Sequence, residues 1–289
     1  MSSGRGRMRE ADRRAALIPD PDLVRAAIYE REIQASLERV WENVHDWEHL
    51  PWLHSEAFSA IDLQEAGDWG WRATVAMGRE ARAEIELVTD PAAGHYVART
   101  RAGAGAPSEI WTRLDPLAPH RTAIHVEFRV QPMPEDALRQ LGQGYVSLYT
   151  LLWNQDEEMM RIREAALAER AGRSGGQGGE DGPETISLGS LALLRPKLPW
   201  VFGYGGHRFR LVEEGGELIA HAMECPHMLG PLGDCSVEDG ILECPWHGYR
   251  FDIRSGESAD GRSLRLRPAP RVTLDPETGE VIVSRHGSA

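Results

Sequence analysis

Three things are scarce in this 289-residue chain, and each scarcity excludes a class of protein. Cysteine occurs three times, at Cys225, Cys235 and Cys244, so there is no disulfide framework, and the chain suits a reducing cytoplasm. No stretch approaches the run of about 18 apolar residues that would suggest a membrane span. Positive charge is in deficit: the net charge of −13 argues against a nucleic-acid or anionic-membrane partner. The opening MSSGRGRMREADRRAALIPD is Arg-rich but has no apolar core of signal-peptide length, so residues 1–22 read as a solvated, disordered tail. A local scarcity is as informative. In AGRSGGQGGEDGPE, residues 171–184, the only hydrophobic side chain is Ala171, which marks a Gly-rich linker between two domains, 23–170 and 185–286.

What is present supports two cores. The length allows two domains, and a hydrophobic content of 41% is ordinary for a globular chain. Residues 27–34 read as a strand. Ser36 is a candidate N-cap for a helix through Leu50, which Pro51 ends or bends. Strand-like runs follow at 57–65, 69–77, 81–89, 95–102, 108–114 and 121–131, with Gly, Pro or Asp in most breaks. Residues 135–170 form a long helix with Leu148, Leu152, Met159, Ile162 and Ala166 on one stripe. This order, with the opening IQASLERVWENVHDWEHLPWLH, resembles the helix-grip fold of the START-like superfamily. The resemblance implies a curved antiparallel sheet wrapped around the last helix and a cavity. The expected fold class is therefore α+β: a helix-grip (START-like) domain followed by an all-β domain.

The second domain carries Cys225-Pro-His227, sixteen residues, then Cys244-Pro-Trp-His247. Thiolate and imidazole alternate on two short loops, the donor set of a [2Fe–2S] cluster in which His replaces Cys on one iron. Zinc also takes two Cys and two His, but it does not account for the one-residue Cys–His spacing, the Pro-Trp-His-Gly loop and the Phe251-Asp252…Gly256 hairpin together. The run CPHMLGPLGDCSVEDGILECPWHGYRFDIRSGES closely resembles the Rieske domains of ferredoxins and ring-hydroxylating oxygenases, over roughly Ile186 to Ser284. That resemblance implies that Cys225 and Cys244 hold one iron and His227 and His247 the other. Gly230 and Trp246 stand where respiratory Rieske proteins carry a disulfide. Tyr249 and Phe251 stand where those proteins place hydroxyl donors, so at least one donor is missing and a low potential is expected. Cys235 is left as a free thiol.

A second donor set lies in the first domain. Asp46 and His49 are three apart, and a break at Pro51 can bring His54 back toward His49. Two His and one carboxylate with open positions make the facial triad of non-haem iron. Rieske oxygenases carry Glu-Asn-x-x-Asp-x-x-His-x-x-x-x-His, and Glu42 to His54 is similar to it at every specified position. The resemblance implies mononuclear Fe(II) on His49 and His54, with Asp46 bridging electron flow from the Rieske cluster. The family's third ligand is an Asp on the final helix. Asp156 in Gln155-Asp156-Glu157-Glu158 lies nearest the apolar stripe, with its neighbouring acids as alternatives. His45 is a rival ligand or a surface group. His95, His120, His125, His207 and His221 read as structural.

These resemblances imply an iron-dependent oxygenase. It would take electrons from a reductase or ferredoxin and use O2 to hydroxylate or oxidatively demethylate a small apolar substrate. A cavity walled by Trp, Tyr149, Leu152 and Met159 suits an aromatic or polycyclic molecule. The domain order is reversed relative to the family. In the family, cluster and iron meet between subunits of a ring-shaped homotrimer; a 14-residue linker spanning roughly 20 Å leaves pairing within one chain open. The alternative is a metal-free module that carries or senses an apolar ligand, joined to a Rieske electron carrier or redox sensor; a plain electron-transfer ferredoxin with a docking domain is a third.

Overall fold

The computed structural model describes residues 8–78, 80–175 and 183–285. The chain divides into two compact units, residues 1–161 and 162–289. In the first, helix α1 (Glu10–Ala16) precedes strand β1 (Val24–Ile33), helix α2 (Leu37–His45), a 3-10 turn at Trp47–His49 and helix α3 (Leu50–Leu53). Six strands follow: β2 (Ala60–Gly67), β3 (Gly70–Met77), β4 (Ala81–Asp90), β5 (His95–Gly103), β6 (Ser108–Ala118) and β7 (Arg121–Val130). The long helix α4 (Glu135–Gly175) comes next.

All seven strands form one antiparallel sheet in the order β1-β7-β6-β5-β4-β3-β2. Alternation fixes which face turns inward. In β7 every second residue, Thr122, Ile124, Val126, Phe128 and Val130, is buried. A one-residue slip would expose Ile124, Val126 and Phe128, each worth ~1.5–3 kcal/mol when buried. Phe128 and Val126 join Ile33, Val40, Trp71, Leu87, Trp153 and Met160 in the main core. The α+β class and the expected element order are therefore present.

Three expectations need correcting. The stretch read as a disordered tail contains α1, and residues 1–7 lie outside the described residues. Its arginines are not simply solvated: Arg13 donates to the carbonyl of Thr89 at 2.6 Å, and Arg99 reaches back to the carbonyls of Ala16 and Ile18. Ala16 packs with Trp69, Val88 and Val97, which also explains why Trp69 does not line the cavity. The helix expected over 36–50 is capped by Ser36 as foreseen, but it breaks at Asp46 (φ −87°, ψ 81°), five residues before Pro51. Pro51 sits in the first turn of α3, where its missing N–H costs nothing. Finally, α4 runs five residues into the expected linker, and the division between units falls inside the helix at Arg161/Ile162. The last turns of α4 pack within the second unit, where Arg163 donates to the Met228 carbonyl (3.2 Å) and Arg170 pairs with Glu224 (3.0 Å). Residues 176–182 of the expected linker lie outside the described residues.

The second unit begins with those turns. It continues through β8 (Thr185–Ser190), α5 (Leu191–Leu194), β9 (Trp200–Tyr204), β10 (His207–Glu214) and β11 (Glu217–Ala222). The short strands β12 (Val237–Glu238), β13 (Ile241–Glu243) and β14 (Arg250–Asp252) follow, then β15 (Arg271–Leu274) and β16 (Glu280–Ser284). These make three three-stranded sheets, β11-β10-β9, β12-β13-β14 and β15-β16-β8. Among the described residues no helix is long and apolar enough to cross a membrane.

Two features of the first unit give measurable consequences. Gly142 of α4 lies so close to β1 that an added Cβ would stand 2.5 Å from the carbonyl oxygen of Ala26. Gly142→Ala gains up to about 1 kcal/mol of helix propensity but must push helix from sheet. A net loss of ~1–2 kcal/mol is expected in chemical denaturation; a stabilised variant would contradict the packing. Glu86, 2% exposed on the other face of the sheet, is held by Arg72 and Arg101. Burial alone would raise its pKa, but the hydrogen bonds and charges of the two arginines outweigh that and lower it. Its contribution is thus present above the unfolded carboxylate pKa of about 4.3 and fades as pH falls through the lower folded value. Glu86→Gln should lower stability at pH 7 by ~1–3 kcal/mol, and the gap between variant and parent should narrow in acid titrations below about pH 4.

Candidate metal centres

The first site is assembled from the broken α2–α3 segment and α4. The break at Asp46 and the 3-10 turn present His49 and His54 to one point, with ring centroids 5.0 Å apart. Both face Asp156: His54 Nε2 lies 3.0 Å and His49 Nε2 3.5 Å from its Oδ1. Ligand atoms of His49, His54 and Asp156 all fall within 4.8 Å of one another, and all three residues are buried. Sequence reasoning named these residues, while two of their supports went unassigned. Asn43 donates to Asp156 Oδ1 at 3.0 Å, and His54 Nδ1 donates to Gln155 Oε1 at 2.7 Å. The Gln155 contact leaves Nε2 of His54 as the ligating nitrogen.

The electrostatics follow from these contacts. Burial opposes the charged form of His54, but the hydrogen bond and charge of Asp156, with Gln155, hold its pKa above the ordinary value. Burial likewise pushes Asp156 up, while His54, the charge of His49 and Asn43 bring it below the usual carboxylate range. Both neighbours of the His54 ring are acceptors, which favours a proton on each ring nitrogen when no metal is bound. A divalent cation would replace the proton at Nε2 and sit against the same carboxylate. His49 Nδ1 stands 3.6 Å from Asp46 Oδ2 and makes no hydrogen bond among the described residues. The donor set fits a divalent transition metal. The remaining candidates lie elsewhere. His45, its pKa lowered by burial and by Arg13, is outside the cluster. Glu157 pairs with Arg31, Glu158 with Arg161 and His125 with Glu30.

The triad opens on a cavity of about 450 Å³. Trp71, Trp153, Tyr149 and Leu152 line it, with Phe58 beside His54. Met159, expected in the wall, is instead packed in the interior, and Trp111 is directed to the opposite face of the sheet.

The second site is built from two loops of matching backbone. Cys225 N–H donates to the Gly230 carbonyl and Cys244 N–H to the Tyr249 carbonyl, both at 2.9 Å and both five residues on. Four residues after each Cys an N–H returns to the Cys carbonyl, from Leu229 and from Gly248, with φ of 65° and 64°. Left-handed backbone suits Gly248; for Leu229 it costs roughly 1–2 kcal/mol, so the loop is held in this shape by its surroundings. The result brings the His227 and His247 rings to 4.6 Å and buries both Cys side chains. The thiols hydrogen-bond to each other, which lowers the pKa of Cys225 and raises that of Cys244. Gly230 and Trp246 are neighbours: a Cβ on Gly230 would stand 2.8 Å from Cys244 Sγ and 3.1 Å from the Trp246 ring. Tyr249 stacks on His227 at 4.5 Å, and the Arg262 guanidinium lies 3.8 Å from the Tyr249 ring centroid. Cys235 is a free thiol, pushed up to about 11 by burial and then by the nearby Cys244.

Comparison with known proteins agrees with this second site. Residues 189–269 match the Rieske [2Fe-2S] domain, and the C-terminal part of the chain is such a domain, which implies a [2Fe–2S] cluster. The human apoptosis-inducing factor 3 is 32% identical over 81 residues, 28% of this chain but only 13% of that protein. The ferredoxin component of the alkene monooxygenase system of Xanthobacter autotrophicus is 31% identical over 84 residues, 29% of this chain and 66% of that protein. A START superfamily protein of Mycobacterium smegmatis superposes with a TM-score of 0.40 at 18% identity, over 47% of this chain and 96% of its own.

The tight fit at Gly230 sets a test. Gly230→Ala is expected to reduce acid-labile sulfide per chain roughly twofold or more, with a matching loss of visible absorption. Full cluster content in this variant would mean that the loop is not the close-packed cradle described.

Proposed function

We propose that the chain is a Rieske-type non-haem iron oxygenase that hydroxylates or oxidatively demethylates a small apolar molecule. The carrying observation is the convergence of His49, His54 and Asp156 at the wall of an apolar cavity, in a chain that also has a Rieske domain. A ligand-binding module without metal has no need for two buried imidazoles whose Nε2 atoms meet at one carboxylate oxygen. The relatives include a ferredoxin component of a monooxygenase system, which supports a reductase or ferredoxin as electron donor.

His49, His54 and Asp156 would hold Fe(II), and that iron, when bound, supplies the activation of O2 with electrons delivered through the Rieske domain. The chain's own groups prepare this chemistry. Gln155 fixes the His54 tautomer, Asn43 orients Asp156, and Asp46 faces Nδ1 of His49 and turns its Nε2 toward Asp156. Asp46 is also the residue proposed to join His49 to the electron supply. The walls, with Leu50, Leu87, Ile110 and Leu152 among them, hold the substrate by apolar contact and keep water from the reacting carbon.

Metal content decides the matter. Anaerobically purified, iron-reconstituted protein should carry about three irons and two acid-labile sulfides per chain. His49→Ala should carry about two and two, with its visible cluster spectrum unchanged and substrate oxidation lost. Parent protein that stays at two irons to two sulfides after reconstitution would refute the oxygenase reading.

A further inference from the structure

The cavity lining says more about the ligand than that it is apolar. Among the described residues no Lys or Arg lines it, and the acids that do, Asp46 and Asp156, are those that face the His49 and His54 imidazoles. A carboxylate or phosphate would therefore be buried with no cation that Asp46 or Asp156 does not already face, at a cost of several kcal/mol.

The ligand's polar atom can be located too. Several hydrogen-bonding groups in the wall are already engaged. Trp71 Nε1 donates to the Val44 carbonyl, Ser108 donates to Thr100 and Asn43 is held by Asp156, whereas Thr112 Oγ1, on the residue paired with Tyr96, makes no hydrogen bond among the described residues. The Tyr149 hydroxyl makes no hydrogen bond with any described residue. Its ring is fixed edge-on to the fully buried Phe128, at 4.7 Å, and Phe128 stacks in turn on Tyr145. Tyr149 is half-buried and lines the cavity, and a phenol drawn out of bulk water normally finds a partner. Burial, and then the nearby Tyr96, Tyr145 and Asp156, raise the Tyr149 pKa well above its ordinary value, so the group stays a donor at working pH. Tyr149 and Asp156 are seven residues apart on α4, two helical turns or ~10 Å of rise.

We propose that the cavity binds a neutral, largely hydrocarbon molecule through one ketone, ether or hydroxyl oxygen that accepts a hydrogen bond from Tyr149. The rest of the skeleton lies along α4 toward the triad. Only the chemistry after binding rests on the oxygenase reading: the carbon presented to His49, His54 and Asp156 is then remote from the anchored oxygen. The cavity volume falls in the range of sites that enclose a drug-sized ligand.

Equilibrium dialysis of the full chain with three compounds of one skeleton tests the inference without turnover: 9-fluorenone, fluorene and fluorene-9-carboxylate. Fluorenone should bind more tightly than fluorene, and the carboxylate should not bind measurably. Tyr149→Phe keeps the ring packing and removes the donor. It should weaken fluorenone about 3- to 10-fold and leave fluorene unchanged. Equal loss for both compounds, no loss for fluorenone, or binding of the carboxylate comparable to that of fluorenone would overturn the proposal. Repeating the dialysis with the His49→Ala protein separates the two readings. Tyr149-dependent binding there, in protein that never held a third iron, would keep this inference whatever becomes of the oxygenase reading.

Discussion

The carboxylate of Asp156 is a charge buried beside the aliphatic and aromatic core of the first unit, and the segment from Asn43 to His54 is arranged around keeping it charged. Removing a carboxylate from water costs several kcal/mol unless it is paired and hydrogen-bonded. Here Asn43 from α2, His49 from the 3-10 turn and His54 from the end of α3 all approach the same oxygen. Those groups can reach it only because the segment after His45 leaves helical geometry twice within ten residues. A continuous helix would carry His54 around to another face. The sheet supplies the rest, since its inward side chains leave α4 one partly open flank against the cavity.

The cluster site meets a similar demand by another route. Two loops with the same sequence of backbone hydrogen bonds bring two thiols and two imidazoles together, although one loop places His two residues after Cys and the other three. The shared backbone is maintained at Leu229 against its own preference, and Gly230 is confined by Cys244 and Trp246. Where related respiratory domains brace the loops with a disulfide, as the resemblance implies, this chain uses the packing of a glycine under an indole.

Much of this was legible in the sequence, and the part that was not has physical causes. The seven strands and long helix follow from alternation and helical periodicity, which report directly on which face is buried. The donors announced themselves through spacing, and Asp156 through its place on the stripe. Gln155 went unassigned because a role that depends on a partner a hundred residues away has no local pattern; only its neighbour Asp156 could have drawn attention to it. The N-terminal segment misled because arginines are ordinarily a sign of solvent, yet a guanidinium can spend its donors on strand carbonyls, as Arg13 does. In the sequence the visible helix breaker is Pro51, whereas Asp46 interrupts the helix through its own backbone angles.

The reach of α4 past Arg161 bears on how such a chain could have been put together. The matched Rieske segment starts at residue 189, but the compact unit that contains it starts at Ile162, and Arg163 and Arg170 attach to the first cluster loop. The Gly-rich stretch is thus a seam in composition without being the seam of the folded unit. A gene fusion that joined a Rieske module at that stretch would have acquired a new neighbour for its cluster loop from the helix upstream. Exchange of either half with a homologue would have to carry those turns along, so the two halves are less freely interchangeable than a glycine linker suggests.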